Sequence, residues 1–429
     1  MVKTFFSYSF GCRVNEAEKE EIDRQLLKAG FCYSKANPDF YIVNTCTVTQ
    51  KAEREARQHI YQARKRFPEA KIVITGCAAT YWQKNNLYQK LPVDLVVDNL
   101  NKKFLVKLLQ KRLYQQSQIH LRGVFRSNIL SKFIDSGRLL IKIQDGCQRF
   151  CSYCIVPYLR GLPKSYRISE IINKINHLSK GIKEVIFTAV NTEAFGYDTG
   201  ESFIELVDEV VRQTKISRIS FGSIHPWSAT NDFFDLYKKL LPEKRLVDFF
   251  HIPFQSGSNK ILQLMKRGYT KEEMLEKLQS IKRLNDFAFI GTDIIVGFLD
   301  ETDRDFEDTY SFLEQSPISK FHIFRFSKRQ NTAAYYMSKS LTEPQSQIKE
   351  KRAKILAELS DKKYHQFLGK HIEKIFPTLF LINKINGYRQ GLLNNQVLVF
   401  VKSQKTLPGE IKNVRIIDYK KGGLFGKIV

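Results

Sequence analysis

Residues 144–154 read QDGCQRFCSYC, and they follow an apolar run at 139–144 that has the composition of a buried strand. Cys147, Cys151 and Cys154 lie within eight residues, so their thiolates can converge on one metal centre. A structural zinc site needs four nitrogen or sulfur ligands, and no fourth cysteine or well-spaced histidine lies nearby. Three thiolates suit a 4Fe-4S cluster with one iron open for a small ligand, which we favour over three core cysteines or an incomplete zinc site.

This stretch opens a longer segment, 138–366, in which strand-like and helical patterns alternate. The strand-like runs are 139–144, 184–190, 218–223, 248–253, 289–298 and 321–327. The helical patterns are 168–180, 202–213, 230–240, 258–285, 303–314 and 344–366. Six βα units are too few for a closed eight-stranded barrel, so we predict an open, partial barrel with its chemistry at the C-terminal ends of the strands.

The preceding segment, 1–115, has the same α/β alternation and predicts a parallel sheet with helices on its faces. Its strand-like runs are 5–10, 39–45, 70–76 and 94–98. Asn15 is the predicted N-cap of a helix that ends at Gly30, and Thr49 that of a helix running to about Arg66. A basic linker at 116–137 joins this domain to the next.

Three further cysteines follow strands of the first domain: Cys12, Cys46 and Cys77. Parallel strands end on the same edge of a sheet, so these sulfurs are expected to meet there as a second open three-thiolate site. Gly11 and Gly76 precede two of them and allow close backbone approach. Cys32 has no such placement and is interpreted as a buried apolar residue.

Composition and charge point to a globular protein with a polyanionic partner. Hydrophobic residues make up 43% and charged residues 26% of the 429 residues, and the net charge is +25. The tail, 367–429, contains eleven Lys and Arg against three acids, with strand-like runs at 373–381, 391–401, 409–419 and 426–429. We predict a small, basic β-barrel there. No apolar run approaches the length of a membrane span, which favours a cytoplasmic protein.

The run at 147–154 resembles the signature of the radical S-adenosylmethionine (SAM) superfamily, C-x3-C-x-aromatic-C, with Tyr153 as the aromatic residue. The resemblance implies that Cys147, Cys151 and Cys154 hold a 4Fe-4S cluster whose open iron is chelated by SAM. One electron from this cluster cleaves SAM to methionine and a 5′-deoxyadenosyl radical. A partial (βα)6 barrel is also the fold of that superfamily.

With both cysteine trios, the chain closely resembles the tRNA methylthiotransferases. The family's first-domain motifs are FGCRVN at 10–15, NTCTVT at 44–49 and TGCA at 75–78. Its barrel motifs are CIVPYLRG at 154–161, HIPFQSGS at 251–258 and TDIIVGF at 292–298. The tail is similar to the family's RNA-binding TRAM domain. The resemblance implies two 4Fe-4S clusters, the second on Cys12, Cys46 and Cys77, with SAM as both methyl donor and radical source.

Within the family, residues 44–49 and FHIFRFSKR at 321–329 resemble the enzymes that act on N6-threonylcarbamoyladenosine at position 37 of tRNA. Three departures are the proline missing from FRFS at 324–327, IHP at 224–226 and GFLDET at 297–302 in place of GFPGET. The His-Pro pair is more typical of the relatives acting on N6-isopentenyladenosine, so the choice of nucleoside stays open.

For SAM, the resemblance implies that Tyr153 packs on the adenine and that Ile295 and Gly297 form its wall, with Asn191 and Gln255 as polar contacts. Ile295 and Gly297 are equally well explained as strand core. Asp293 is either a satisfied buried carboxylate or a pocket residue, whereas His225 and His251 are better explained as hydrogen-bonded strand-end residues than as bases.

The first hypothesis is therefore methylthiolation of carbon 2 of N6-threonylcarbamoyladenosine in the anticodon stem-loop of tRNA, since a single-stranded loop lets a base be splayed out. The alternatives are the isopentenylated nucleoside, a ribosomal-protein aspartate, or a non-catalytic zinc-binding RNA protein. An electron donor such as flavodoxin or ferredoxin is implied, and no membrane partner.

Overall fold

The computed structural model describes residues 3–114, 133–403, 408–420 and 422–429. The described residues divide into two compact units. The first takes its residues from Met1–Ser131, Gly146–Gln148 and Cys154–Leu162. The second takes them from Lys132–Asp145, Arg149–Tyr153 and Pro163–Val429. Most of the predicted basic linker at 116–137 lies outside the described residues, and the predicted domain boundaries remain predictions.

The first unit is built on a five-stranded sheet. Its strands are β1 (Thr4–Ser9), β2 (Cys32–Tyr33), β3 (Phe40–Thr45), β4 (Lys71–Gly76) and β5 (Leu95–Val97). They lie in the order β2-β1-β3-β4-β5, and every neighbouring pair is parallel. The predicted parallel α/β arrangement is confirmed. The short edge strand β2 was not predicted, because two residues are too few to produce an alternating pattern.

The helices of this unit are α1 (Arg13–Lys28), α2 (Gln50–Arg66), α3 (Cys77–Lys84), α4 (Leu105–Tyr114) and α5 (Val156–Arg160). Helix α2 begins as predicted, since the Thr49 hydroxyl accepts the Ala52 N–H at 3.1 Å. The predicted start of α1 is wrong: its N-cap is Cys12. Asn15 lies inside the helix and donates its side-chain N–H to the carbonyl oxygens of Phe10 and Thr45 at 2.8 and 3.1 Å.

The second unit contains the predicted partial barrel. Its strands are β6 (Arg138–Asp145), β7 (Lys164–Ser165), β8 (Glu184–Ala189), β9 (Arg218–Phe221), β10 (Phe249–His251), β11 (Phe289–Val296) and β12 (Lys320–Arg325). Strands β6, β8 and β9 form one parallel set, and β10, β11 and β12 form another. The bridge between Ile219 and Leu246 connects the two sets. Strand β7, antiparallel to β6, was not predicted.

Helices surround this barrel: α6 (Ile168–Leu178), α7 (Phe203–Gln213), α8 (Asn231–Leu240), α9 (Asn259–Leu264), α10 (Lys271–Leu284), α11 (Asp303–Gln315), α12 (Ala333–Met337) and α13 (Ser346–Gly369). The single helix predicted at 258–285 is wrong. Lys266 and Gly268 adopt φ values of 55° and 67°, which end α9. A capping box between Thr270 and Glu273 then starts α10.

The tail forms the predicted small β-barrel, and it is closed. Its strands are β13 (Ile375–Ile385), β14 (Tyr388–Leu393), β15 (Leu398–Val401), β16 (Ile411–Lys420) and β17 (Gly423–Ile428). The single strand predicted at 391–401 is wrong, because a turn with Gln396 at φ 60° separates β14 from β15. No described helix is long and apolar enough to cross a membrane.

Candidate functional site

The first cysteine trio lies where three neighbouring parallel strands end. Cys12 follows β1, Cys46 follows β3, and Cys77 is the first residue of α3 after β4. Cys46 and Cys77 are buried, and Cys12 is exposed. Burial, reinforced by the Cys77 and Cys12 thiols, raises the pKa of Cys46 to about 12. Burial thus favours the protonated thiol, so a metal that binds Cys46 must displace its proton.

Two glycines allow the backbone to pass close to the strand end that carries Cys46. Gly11 has φ +86°, and a Cβ there would lie 2.6 Å from both Cβ and Sγ of Cys46. Gly76 has φ +94°, and its Cβ would lie 2.4 Å from the carbonyl oxygen of Thr45. Both residues were predicted from the sequence to permit close backbone approach, and the structure confirms it.

Arg160, on α5, directs its guanidinium at this trio. Its Nε lies 3.2 Å from Cys77 Sγ, while Nη1 donates to Glu18 Oε1 at 2.8 Å and Nη2 to Asn15 Oδ1 at 2.7 Å. Asn99 also donates towards Cys77 Sγ, at 3.7 Å. Hydrogen bonds to cysteine sulfur are a principal means by which proteins stabilise iron–sulfur clusters and adjust their potentials.

A buried cationic network supports Arg160. Lys102 Nζ lies 2.5 Å from Glu18 Oε2, so one carboxylate is shared by two cationic side chains. Their side chains are only 2–8% exposed. The surplus of positive charge beside Cys77 suits a negatively charged thiolate-ligated cluster, which is the fit expected of a cluster site.

No group of three His, Cys, Asp or Glu among the described residues is arranged to hold a metal ion. The N–H donors that Arg160 and Asn99 direct at Cys77 Sγ are of the kind that accompany thiolate-ligated clusters.

The second cysteine trio occupies the segment that follows β6. Cys147 and Cys154 are counted with the first unit and Cys151 with the second. Cys151 is buried, and Arg267 Nη1 lies 3.1 Å from its sulfur. The remaining Arg267 nitrogens donate to the Tyr269 hydroxyl at 2.7 Å and the Pro253 carbonyl oxygen at 2.8 Å, so the guanidinium is held on three sides.

Trp227 fixes the other face of Arg267. The guanidinium carbons of Arg267 and Arg149 lie 4.5 and 4.2 Å from the centroid of the Trp227 ring. Arg149 also pairs with Glu193. These stacked cations hold the Arg267 donor in one orientation at Cys151.

The predicted SAM contacts are placed in two different ways. Tyr153 and Ile295 pack against the same apolar cluster, which includes Met265 and Phe298. The backbone of Gln255, at φ 81°, bonds to Asp293 and Ile295 on β11. The structure therefore brings these three predicted residues to one end of β11.

Asn191 and Gly297 have partners within the protein. The Asn191 side chain accepts the Glu193 N–H at 3.2 Å and donates to Glu193 Oε2 at 3.2 Å. The Gly297 N–H donates to Glu301 Oε1 at 2.9 Å, and a Cβ there would lie 2.3 Å from Lys349 Cγ. Both residues thus have a structural role whether or not they touch a ligand.

The two histidines noted in the sequence differ in environment. His225 Nδ1 lies 3.2 Å from the Thr192 N–H, and burial with nearby Arg267 and His251 lowers the pKa of His225 to about 3. Its ring contacts with Thr192 fit the expected hydrogen-bonded residue at the end of a strand. His251 Nε2 lies 3.2 Å from Asp293 Oδ2, so the Asp293 carboxylate has a partner within the protein, while its side chain is 24% exposed and not fully buried.

Four residues beside the two trios were not predicted from the sequence: Arg160, Arg267, Glu18 and Lys102. Arg160 lies within the motif at 154–161, where its presence beside a cysteine trio was the available signal. Arg267 had none, because 116 residues separate it from Cys151.

Two protein-family models and several curated relatives match this chain. Residues 141–313 match the model of the radical SAM superfamily, and residues 4–98 match uncharacterized protein family UPF0004. The chain is 36% identical, over 85% of its length and 89% of the relative, to the threonylcarbamoyladenosine tRNA methylthiotransferase MtaB of Aquifex aeolicus. The Bacillus subtilis protein of the same name is 31% identical, over 96% of this chain and 93% of the relative.

A second type of relative is also similar. The tRNA-2-methylthio-N(6)-dimethylallyladenosine synthase of Petrotoga mobilis is 30% identical over 99% of both chains. Among solved structures, the radical SAM methyltransferase TsrM from Kitasatospora setae, with cobalamin and a 4Fe-4S cluster bound, superposes with a TM-score of 0.54. That match covers 76% of this chain and 72% of the other at 13% identity, so it shows a shared fold.

Proposed function

Because the chain belongs to the radical SAM tRNA methylthiotransferase family, we propose that it methylthiolates carbon 2 of N6-threonylcarbamoyladenosine at position 37 of tRNA. The observation that carries this proposal is the 36% identity, over 85% of the chain, to a protein named for that reaction. Members of the family use SAM and 4Fe-4S clusters, and two cysteine trios in this chain account for two clusters.

We assign one cluster to Cys147, Cys151 and Cys154 and the other to Cys12, Cys46 and Cys77. A cluster bound by Cys147, Cys151 and Cys154 would supply the electron that cleaves SAM. A cluster bound by Cys12, Cys46 and Cys77 would hold the sulfur that is transferred. An aromatic C–H is neither acidic nor electrophilic enough for side-chain acid–base catalysis, which is why the chemistry needs a radical. The glycine cradle at Gly11 and the donors Arg160 and Arg267 are what this chain contributes to the two sites.

The remaining side chains position substrates. Tyr153 and Ile295 offer an apolar surface for the adenine of SAM, and the backbone of Gln255, which follows β10, is hydrogen-bonded to Ile295 on β11. The basic tail barrel binds phosphates of the anticodon stem, and a small redox protein such as flavodoxin or ferredoxin supplies the electron. Such a reaction belongs in the cytoplasm, where the tRNA is.

The competing substrate is the isopentenylated nucleoside. It is favoured by the Petrotoga mobilis relative and by the His225-Pro226 pair. A ribosomal-protein aspartate is less well supported, because residues 13–14 are Arg-Val where such relatives usually have Pro-Lys.

Mass spectrometry of tRNA nucleosides from cells with and without the gene tests the proposal. Deletion should remove the 2-methylthio form of the threonylcarbamoylated nucleoside and leave its precursor accumulating. Loss of a methylthio-isopentenyl species instead would move the assignment to the competing substrate.

A further inference from the structure

Three titratable side chains face the interior of the partial barrel. On β11, Ile290, Ile294 and Val296 belong to the hydrophobic core beneath the helices. Because side chains alternate along a strand, Asp293 faces the other way, into the barrel. The same alternation applies to the two neighbouring strands. It directs His251 and His322 inward, since Phe250 on β10 and Phe321 on β12 are core residues.

These three side chains form one group, the lumen triad His251, Asp293 and His322. His251 Nε2 lies 3.2 Å from Asp293 Oδ2, and the ring centroids of His251 and His322 are 6.0 Å apart. Asp293 and His322 are also register partners on β11 and β12. The Asp293 side chain is 24% exposed and His322 is exposed, so the triad is open to solvent.

Nothing in the fold accounts for His322. Among the residues that the structure describes, no hydrogen bond or ion pair holds its ring. An imidazole on the inner face of an edge strand is a group that can accept a ligand. With Asp293 beside it, the triad presents both hydrogen-bond donors and an anionic acceptor.

The two competing substrates differ in the chemistry that such a site can recognise. The threonylcarbamoyl substituent carries a carboxylate, a hydroxyl and ureido N–H groups, whereas the isopentenyl substituent is entirely apolar. A site built from hydrogen-bonding groups rejects an analogue that lacks the matching groups, because its own polar atoms are then left unpaired.

We propose that the lumen triad binds the threonylcarbamoyl substituent, with the His322 imidazolium facing its carboxylate and Asp293 accepting from its N–H or hydroxyl groups. The inference rests on the proposed function, and it assigns to that function a specificity-determining residue.

Electrostatics gives this contact a pH dependence. Partial desolvation lowers the pKa of His322 in the ligand-free protein; His251 from β10 and Lys320 on β12 reinforce the effect, while Asp293 from β11 opposes it. A carboxylate placed beside the ring raises that pKa again. His322 therefore takes up a proton on binding, and affinity for the charged substituent increases as the pH falls from about 8 towards about 6.

The test measures binding of anticodon stem-loop oligonucleotides to the cluster-loaded protein by fluorescence anisotropy. Three oligonucleotides carry threonylcarbamoyladenosine, its carboxylate methyl ester, or plain adenosine at position 37. The wild-type protein should bind the free carboxylate about tenfold or more tightly than the ester, and the gap should widen at lower pH.

His322→Leu should abolish the discrimination between acid and ester, and His322→Gln should abolish its pH dependence, with binding of plain adenosine unchanged in both. The matched control is Arg325→Gln. Arg325 is an exposed cation on the same strand, and it lies 4.0 Å from Glu350 on α13, away from the lumen. It should keep both the discrimination and the pH dependence.

The outcomes separate the two proposals. A wild-type protein that shows no preference for the threonylcarbamoylated loop over plain adenosine overturns the proposed function. If the wild type has the preference but His322→Leu retains it, or weakens all three oligonucleotides equally, the role of His322 is overturned and the proposed function stands.

Discussion

Arg267 donates to the sulfur of Cys151 from 3.1 Å while stacked on Trp227, so it is placed to raise the potential of a cluster bound there. We expect Arg267→Met to lower that potential and slow SAM cleavage. A redox titration followed by electron paramagnetic resonance measures this potential. All proteins compared carry alanine at Cys12, Cys46 and Cys77, so that only the cluster at Cys151 gives a signal. Arg283→Met, on the exposed part of α10, is the control; equal potentials in all three proteins would contradict the prediction.

Gly11 provides a second prediction at the scale of one residue. In Gly11→Ala the new Cβ meets Cys46 Sγ at 2.6 Å, so iron should fall by about four atoms per chain. Gly181→Ala is the matched control, since Gly181 has φ +78° and nothing within 4 Å. Both changes carry the backbone strain of about 1–2 kcal/mol, but only the first crowds a thiol. Full iron content in Gly11→Ala would show that the space left by Gly11 beside Cys46 is not needed for cluster binding.

The residues also show what local sequence could and could not predict. Cys46, Cys77, Gly11 and Gly76 were predictable, because a strand and the turn after it are encoded by neighbouring residues. The contact of Arg160 with Cys77 was not predictable, because 83 residues separate the two and the contact depends on tertiary packing.

At the scale of elements, Glu184 joins the partial barrel to the tail barrel. It begins β8, is fully buried, and pairs with Arg138 and Arg218 at 2.9 and 3.3 Å. Gln396, in the turn between β14 and β15, donates to it, and Arg218 donates to the Leu393 carbonyl oxygen at 2.6 Å. The Glu184 carboxylate is thus shared by two buried guanidiniums at the N-terminal ends of β6 and β9.

Glu184→Gln should therefore destabilise the protein by about 3–5 kcal/mol in urea unfolding, because it leaves buried cations uncompensated. Burial alone would raise the pKa of Glu184, but Arg138 and Arg218 prevail and lower it to about 2. This stabilisation is complete above the unfolded value of about 4.5 and is lost as the pH falls towards 2. The variant should have a flatter stability profile below about pH 4.5, whereas exposed Glu276→Gln should match the wild type within about 0.5 kcal/mol.

The elements themselves were predicted well where hydrophobic periodicity extends over a whole strand or helix, as in the six parallel strands of the partial barrel. The errors at 258–285 and 391–401 have one cause. Lys266 and Gln396 both adopt positive φ, and nothing in the side chain of either residue type signals that conformation.

Over the whole molecule, the two cysteine trios should fail differently. Alanine at Cys147, Cys151 and Cys154 should abolish both 5′-deoxyadenosine and thiolated tRNA. Alanine at Cys12, Cys46 and Cys77 should leave SAM cleavage under strong reductant while no sulfur reaches the adenine. Each soluble variant should lose about four iron atoms. Methylthiolated tRNA at the wild-type rate from the first-trio variant would exclude two clusters with separate tasks.

The net charge of the molecule predicts a salt-dependent affinity for tRNA. We expect most of this salt dependence to come from phosphate contacts of the tail. Deleting the tail would expose the Glu184 contacts, so point substitutions are cleaner. Glutamine at four exposed tail residues should lower the log–log salt slope by at most about one unit for each lost phosphate contact; they are Lys384, Lys412, Arg415 and Lys427. As a control, glutamine at four exposed lysines on or near helices α7 and α8 should leave the slope unchanged; they are Lys215, Lys238, Lys239 and Lys244. Equal salt slopes in both sets of variants would mean that the tail does not contact tRNA phosphates.

Helix α5 has a consequence for how this protein can be divided. Its segment comes after Cys151 in the chain, yet Ile155 and Leu159 are core residues of the first unit, and Arg160 is bound to Glu18 there. An amino-terminal fragment ending near residue 115 would leave that core uncovered and Glu18 without its guanidinium. A chain divided near residue 115 would therefore give an unstable amino-terminal fragment.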